Sequence, residues 1–100
     1  MNKKVNLAEL EIQGIDGSKQ KVDINDELAN LIYMQGQSIN ECELGRRIYN
    51  AGRNTDGKLS PDADRTIELS PEDMAIVNRV LMQFPYIIRQ AVSAAIDPDA

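Results

Sequence analysis

Apolar side chains recur at helical spacing through residues 70–96, behind a strong start signal. Ser70-Pro71-Glu72-Asp73 supplies a side-chain acceptor for the free amides of a first turn, a proline suited to the first helical position, and two acids facing the positive end of the helix dipole. Leu69 and Met74 flank this start as a hydrophobic staple. Met74, Val77, Leu81 and Phe84 share one stripe while Glu72, Arg79 and Gln83 fall opposite, which is the pattern of a helix facing a core. Pro85 interrupts it, because proline removes a backbone donor and pushes the preceding residue out of the α region. The stripe continues through Ile88, Ala91, Val92 and Ala95, as one kinked helix would require. A single rod over this stretch would be about 40 Å long at 1.5 Å per residue, against a radius of gyration of about 13 Å expected for the whole chain. The sequence therefore predicts two helices, 71–84 and 85–96, with Pro85 opening the second and Asp97-Pro98 stopping it.

At the other end the period is two. Glu9, Glu11 and Gln13 alternate with Ala8, Leu10 and Ile12, and a second alternating run follows Asp16-Gly17, predicting a β-hairpin over 5–24. Pairing Ile12 with Val22 and Leu10 with Ile24 puts all four on one face across a three-residue Asp16-Gly17-Ser18 turn; a two-residue turn would set Ile12 against Lys21. A lone hairpin is marginal in water, so helices must cover it. The first, 25–35, is capped by Asp23 or Asn25, faces inward with Leu28, Leu31 and Ile32, and ends at Gly36. The second, 38–51, has a Ser38 and Glu41 capping box, Glu43 spaced to pair with Arg47, an inward face of Cys42, Gly45, Ile48 and Tyr49, and a stop at Gly52. Gly45 lowers helix propensity by about 1 kcal/mol, which suits a place where another backbone packs close. Residues 53–66 are polar apart from Leu59 and rich in turn formers, predicting a mobile loop, with 66–69 a short extended lead into the Ser70 cap. The class is α+β: an N-terminal hairpin followed by three to four short helices in one small domain. Its parts are the hairpin 5–24, the helical pair 25–52, the loop 53–69 and the C-terminal helices 70–96.

Composition narrows function mainly by exclusion. With 100 residues, 42% of them hydrophobic, the chain suits a single domain with a modest core. A net charge of −5 weighs against a nucleic-acid or anionic-membrane binder. Lys3, Lys4, Lys19 and Lys21, and separately Arg46, Arg47 and Arg53, read as solvated faces, since neither group interleaves with aromatics. Cys42 is the one cysteine, so no internal disulfide forms and a reducing, cytoplasmic setting is expected; it reads as a small core thiol. No stretch is apolar enough to span a bilayer or serve as a signal h-region.

Without histidine, Ser–His and Cys–His catalysis and ordinary zinc sites are excluded. The acid pairs Glu41 with Glu43 and Glu72 with Asp73 are accounted for by helix starts. The run from Asn54 to Ser60 resembles the middle of a calcium loop around Gly57, but Gly52 and Ala63 stand where the first and last ligands belong, so it reads as a surface turn. No catalytic, cofactor-binding or metal-ligating residue is assigned, and no enzymatic activity is expected.

Asp16-Gly17, the run from Glu27 to Tyr33, the run from Leu44 to Tyr49, and Leu69-Ser70-Pro71-Glu72-Asp73 follow one another in an order that resembles small prophage- and mobile-element-encoded proteins of bacteria. That resemblance implies protein contacts in assembly or regulation and carries over no functional residue. Once Ile88, Ala91, Val92 and Ala95 have docked the last helix, Tyr86, Ile87, Ala94 and Ile96 are left over, and these four are the predicted contact residues for a protein partner or self-association. The alternative is a helix-turn-helix DNA-binding regulator in 25–51. Its Arg46 and Arg47 lie at the C-terminal end of the second helix, however, whereas base contacts come mostly from the N-terminal part.

Overall fold

In the computed structural model, which describes residues 2–60 and 63–96, the order is β1 (Lys3–Asn6), β2 (Leu10–Gln13), β3 (Lys19–Val22), α1 (Asn25–Gln35), α2 (Ile39–Asn50), β4 (Thr66–Leu69), α3 (Pro71–Leu81) and α4 (Tyr86–Ala95). The α+β class is as expected, but the N-terminal segment is divided. Val5 and Leu7 are buried at odd positions and Leu10 at an even one, so the chain must turn between them. It does so at Leu7-Ala8-Glu9, where Asn6 accepts from the Ala8 amide through Oδ1 at 3.0 Å and from the Glu9 amide through its carbonyl at 3.3 Å. The hairpin is thus β2–β3, and β1 pairs antiparallel with β4, Val5 opposite Ile67. The expected extended segment 66–69 is a strand with a partner sixty positions away.

The hairpin register also needs correction by two residues. Leu10 faces Val22 and Ile12 faces Gln20, around a five-residue loop closed by the Gly14 amide donating to the Ser18 carbonyl at 2.7 Å. A shift of two keeps Leu10, Ile12 and Val22 on one face, and it frees Ile24 to leave the sheet. Ile24 is instead the residue preceding α1, buried, with its amide bonded to the Leu7 carbonyl at 3.0 Å. Neither expected cap closes α1: Asp23 Oδ1 takes the Asn25 amide at 2.9 Å, while the Asn25 side chain turns inward and donates to the Ile48 carbonyl on α2 at 2.9 Å.

α1 and α2 pack closely because Gly45 has no side chain. A Cβ there would lie 2.9 Å from both the Ala29 carbonyl oxygen and the Tyr33 amide nitrogen. Gly36 ends α1 for want of space rather than by a left-handed turn, its φ being −61° and an added Cβ falling 3.0 Å from Cys42 Sγ. The inward face of α2 is Leu44, Gly45 and Ile48. Cys42 is half-buried, its Sγ 3.6 Å from the Tyr33 carbonyl, and Tyr49 is exposed, so neither belongs to the core as expected. Ser38 caps α2 by accepting from the Glu41 amide, but Glu41 reaches back to the Gln37 amide rather than to that of Ser38. Glu43 pairs with Arg46 at 3.9 Å, leaving Arg47 to bond Asp73 on α3 at 2.6 Å.

At α3 both halves of the capping box are present, Ser70 Oγ accepting from the Asp73 amide and Asp73 Oδ2 from the Ser70 amide; such a cap contributes about 1 kcal/mol. α3 stops at Leu81 rather than at residue 84, because the Gln83 and Phe84 amides tighten onto carbonyls three residues back ahead of Pro85. Pro85 then opens α4, giving the two helices the sequence predicts. The expected stop at Asp97-Pro98 and the Pro61-Asp62 part of the loop lie outside the described residues.

The described part of the loop holds defined bonds. Asn54 Oδ1 accepts from the amides of Asp56 and Lys58 near Gly57, whose φ is +76°, so its oxygen ties a tight turn. Arg65, 3% exposed, donates to the carbonyls of Ala51 and Tyr49 and to Asp26 Oδ1 at 3.0 Å. Arg53 reaches Asp26 Oδ2 at 2.9 Å and stacks 4.1 Å from the Tyr49 ring centre. One carboxylate therefore ties both ends of the loop to α1. Burial pushes the Asp26 carboxyl up, but bonds from Arg65 and Asn25 and the two guanidinium charges outweigh it and hold it below its ordinary value.

Candidate functional site

α4 lies on the hairpin with Ala91 and Val92 buried and Ile88 half-buried. Ala95, expected on this docking stripe, is exposed. Of the four predicted contact residues, Tyr86 is 66% exposed, Ile87 38% exposed and Ala94 exposed, while Ile96 packs half-buried against the core. Three of the four thus share a solvent-facing surface and the fourth is set apart from them. Between α4 and β2 runs a groove of about 310 Å³, with Ile12, Ile87, Ala91 and Ala94 among its walls and Glu11, Gln13 and Gln90 at its rim.

Three further exposed or partly exposed side chains were unassigned from sequence, and two of them adjoin Tyr86. Ile15 stands fully exposed at the hairpin tip. Its loop is well tied: Asp16 Oδ1 accepts from the Ser18 amide at 3.0 Å and the Ser18 hydroxyl at 2.7 Å, bonds that draw the Asp16 carboxyl below its usual range, and Gly17 takes a φ of +87°. Ile15 is held out in the open by backbone geometry. The signal for it was an isoleucine beside Asp-Gly that belongs to neither strand face. Met82 and Arg89 are the others. The Arg89 guanidinium sits 5.4 Å from the Tyr86 ring centre and 3.2 Å from Met82 Sδ, bridging the end of α3 and the start of α4. Tyr, Met and Arg are side chains enriched in protein interfaces, and a tyrosine ring under a guanidinium gives contact area with little rotamer freedom to lose.

The helical pair offers a second, more polar surface. A notch of about 250 Å³ between Tyr33 and Tyr49 opens over Gly45. Arg46 lies 5.4 Å from the Tyr33 ring centre and Arg53 sits over Tyr49, so folding brings together arginines and aromatics that are apart in sequence. Arg46 and Arg47 are exposed, as expected of a solvated face, whereas Arg53 is enclosed, and each has an internal partner: Arg47 is bonded to Asp73, Arg53 to Asp26, and Arg46 to Glu43 and the Tyr33 hydroxyl. Phosphate contacts from 25–51 would have to compete with these internal partners.

Among the described residues no cluster of three His, Cys, Asp or Glu side chains is placed to hold a metal ion, and no helix is long and apolar enough to cross a membrane. Set against family models, curated proteins and solved structures, the chain finds no match in any of the three.

Proposed function

We propose that this protein is a non-enzymatic interaction or assembly module, an accessory protein of a phage or mobile element acting in the cytoplasm, and that it self-associates through the α4 and hairpin-tip face. The observation that carries this reading is the exposure of Tyr86, Ile87 and Ala94 on one helix, the last two lining the β2–α4 groove, with Ile15 exposed at the tip of the hairpin that forms the other wall. Charge supports a second copy as the occupant. The chain carries −5 overall, yet α4 has no acidic residue and a single arginine, so two α4 faces meet with little repulsion. The exposed Ala94 and Ala95 let a second helix approach closely, and a twofold contact of this kind is self-complementary.

Sedimentation across the micromolar range tests it. The parent protein associates with rising concentration, whereas Ile87→Glu stays monomeric and keeps its stability to within about 1 kcal/mol, as partly exposed positions generally do. A parent protein monomeric at high micromolar concentration, with Ile87→Glu unfolded or not, would sink self-association.

A further inference from the structure

A second groove, of about 1220 Å³, lies elsewhere in the fold. Thr66, Ile67 and Glu68, three consecutive residues of β4, line it. Lys4 and Asn6 of β1, paired with Glu68 and Thr66, do not. Asn2, just before β1, closes one end by donating to Glu68 Oε1 at 3.0 Å, and the rest of the groove runs beside β4 toward α2. The Ile67 side chain is buried in the core, and the Thr66 amide is already held by Asp64 Oδ1 at 2.9 Å, which leaves the rest of the β4 edge for an added strand. β4 has β1 along one edge and, among the described residues, no strand along the other. An unpaired edge is a template for another strand. Thr66-Ile67-Glu68-Leu69 carries none of the lysines or prolines that blunt such edges, its one charge being Glu68.

The opposite wall is α2 with the start of α3, and its distance from β4 is fixed at both ends. Arg65, just before β4, bonds the Ala51 and Tyr49 carbonyls at the end of α2, and Arg47 on α2 bonds Asp73 on α3. Four carboxylates line the groove, Glu43, Glu68, Glu72 and Asp73, against the guanidiniums of Arg46 and Arg47, of which Arg47 already serves Asp73. The surplus is negative, as is the whole chain, so a second copy is repelled here and a basic segment is attracted.

We propose that this groove takes an extended, lysine- or arginine-bearing segment of another protein, which adds to the free edge of β4 as a third strand. Main-chain bonds to β4 give affinity, and the carboxylates select the charge of the side chains. This surface is separate from the α4 face, and the two proposals stand or fall independently.

The probe is a decapeptide alternating Lys and Val, titrated into the isotope-labelled full chain. Two controls accompany it: a Glu and Val decapeptide, and the Lys and Val peptide N-methylated at alternate residues, which keeps its charge and loses its main-chain donors. Amide shifts are expected along Thr66, Ile67 and Glu68, with slowed hydrogen exchange at alternate β4 residues, those whose amides face away from β1, and at least tenfold weaker binding by both controls. Glu68→Lys with Glu72→Lys, both exposed positions, is expected to weaken the basic peptide at least tenfold while the spectrum remains that of the folded chain. No shift at β4 up to millimolar peptide, shifts centred on α4, or undiminished binding by the N-methylated peptide would each overturn strand addition.

Discussion

Asp26→Ala lowers the free energy of unfolding by about 3 kcal/mol, a large share of the 5 to 15 kcal/mol typical of such a domain. The loss comes less from the bonds removed than from the charge left behind. Arg65 is 3% exposed, and without Asp26 its guanidinium keeps two carbonyl partners and no counter-ion. Arg53, nearly as enclosed, loses the same partner. Asp26 itself is half open to water, which places the effect at the lower end of the range for breaking an enclosed ion pair. Removing the stranded charge as well, in Asp26→Ala with Arg65→Met, restores part of the loss. The sign of the pH dependence follows from the lowered Asp26 carboxyl. Its contribution is complete above the ordinary aspartate value of 3.8 and disappears as pH falls through the lower folded value. Asp73 titrates in the same direction: burial raises it, and bonds from Arg47 and Ser70 lower it by more. The parent protein therefore loses stability on acidification below about pH 4, and Asp26→Ala loses it less steeply. Urea midpoints of parent and variant across pH 2 to 7 measure both effects; a variant within 1 kcal/mol of the parent at pH 7 would remove the network from the account of stability.

Gly45→Ala destabilises the fold although alanine is the better helix former by about 1 kcal/mol. The added methyl would sit 2.9 Å from the Ala29 carbonyl oxygen, 2.9 Å from the Tyr33 amide nitrogen and 3.1 Å from Tyr33 Cβ. Two of these atoms are backbone in the middle of α1, so no rotamer change relieves them; the helices must separate. Overpacking of this kind costs about 1 to 3 kcal/mol, and separation also strains the Asn25 bond to the Ile48 carbonyl. A net loss of about 2 kcal/mol lowers the melting temperature by about 10 °C for a chain of this length. Thermal melts decide it, and a variant melting at or above the parent temperature would show that α1 and α2 move apart freely.

The legible parts of the fold were those set by local periodicity and by residues with one dominant conformational habit. Ser70 with Pro71 gave the start of α3, Pro85 gave the break before α4, and Gly45 in mid-helix pointed to a close approach that does occur. The pairing of β1 with β4 was not legible, since nothing local to Val5 names Ile67. The hairpin register was legible in parity and off by two, because alternation fixes which face a residue takes but not how long the loop is. Arg65 sat in a stretch polar enough to read as solvent-facing. Its burial depends on Asp26 and on two α2 carbonyls that only the tertiary fold brings to it. At the contact face the same limit applies in reverse. Helical phase left Tyr86, Ile87 and Ala94 over from the docking stripe, and all three are exposed in the fold, whereas Ile96 has a neighbour that phase does not reveal.

The β1–β4 pairing also sets an order of events in folding. β2 and β3 close across five residues, while Asn6 must find Thr66 across sixty. By loop-closure entropy the second search costs roughly 2 kcal/mol more than the first. The hairpin and the α1–α2 pair are local and can form early, each within its own stretch of chain. Val5, buried in the finished fold opposite Ile67, must wait in solvent until β4 and α4 arrive. The two sheets therefore join the structure at different times, and late amide protection at Val5 and Ile67 in pulsed hydrogen exchange is where that delay is read.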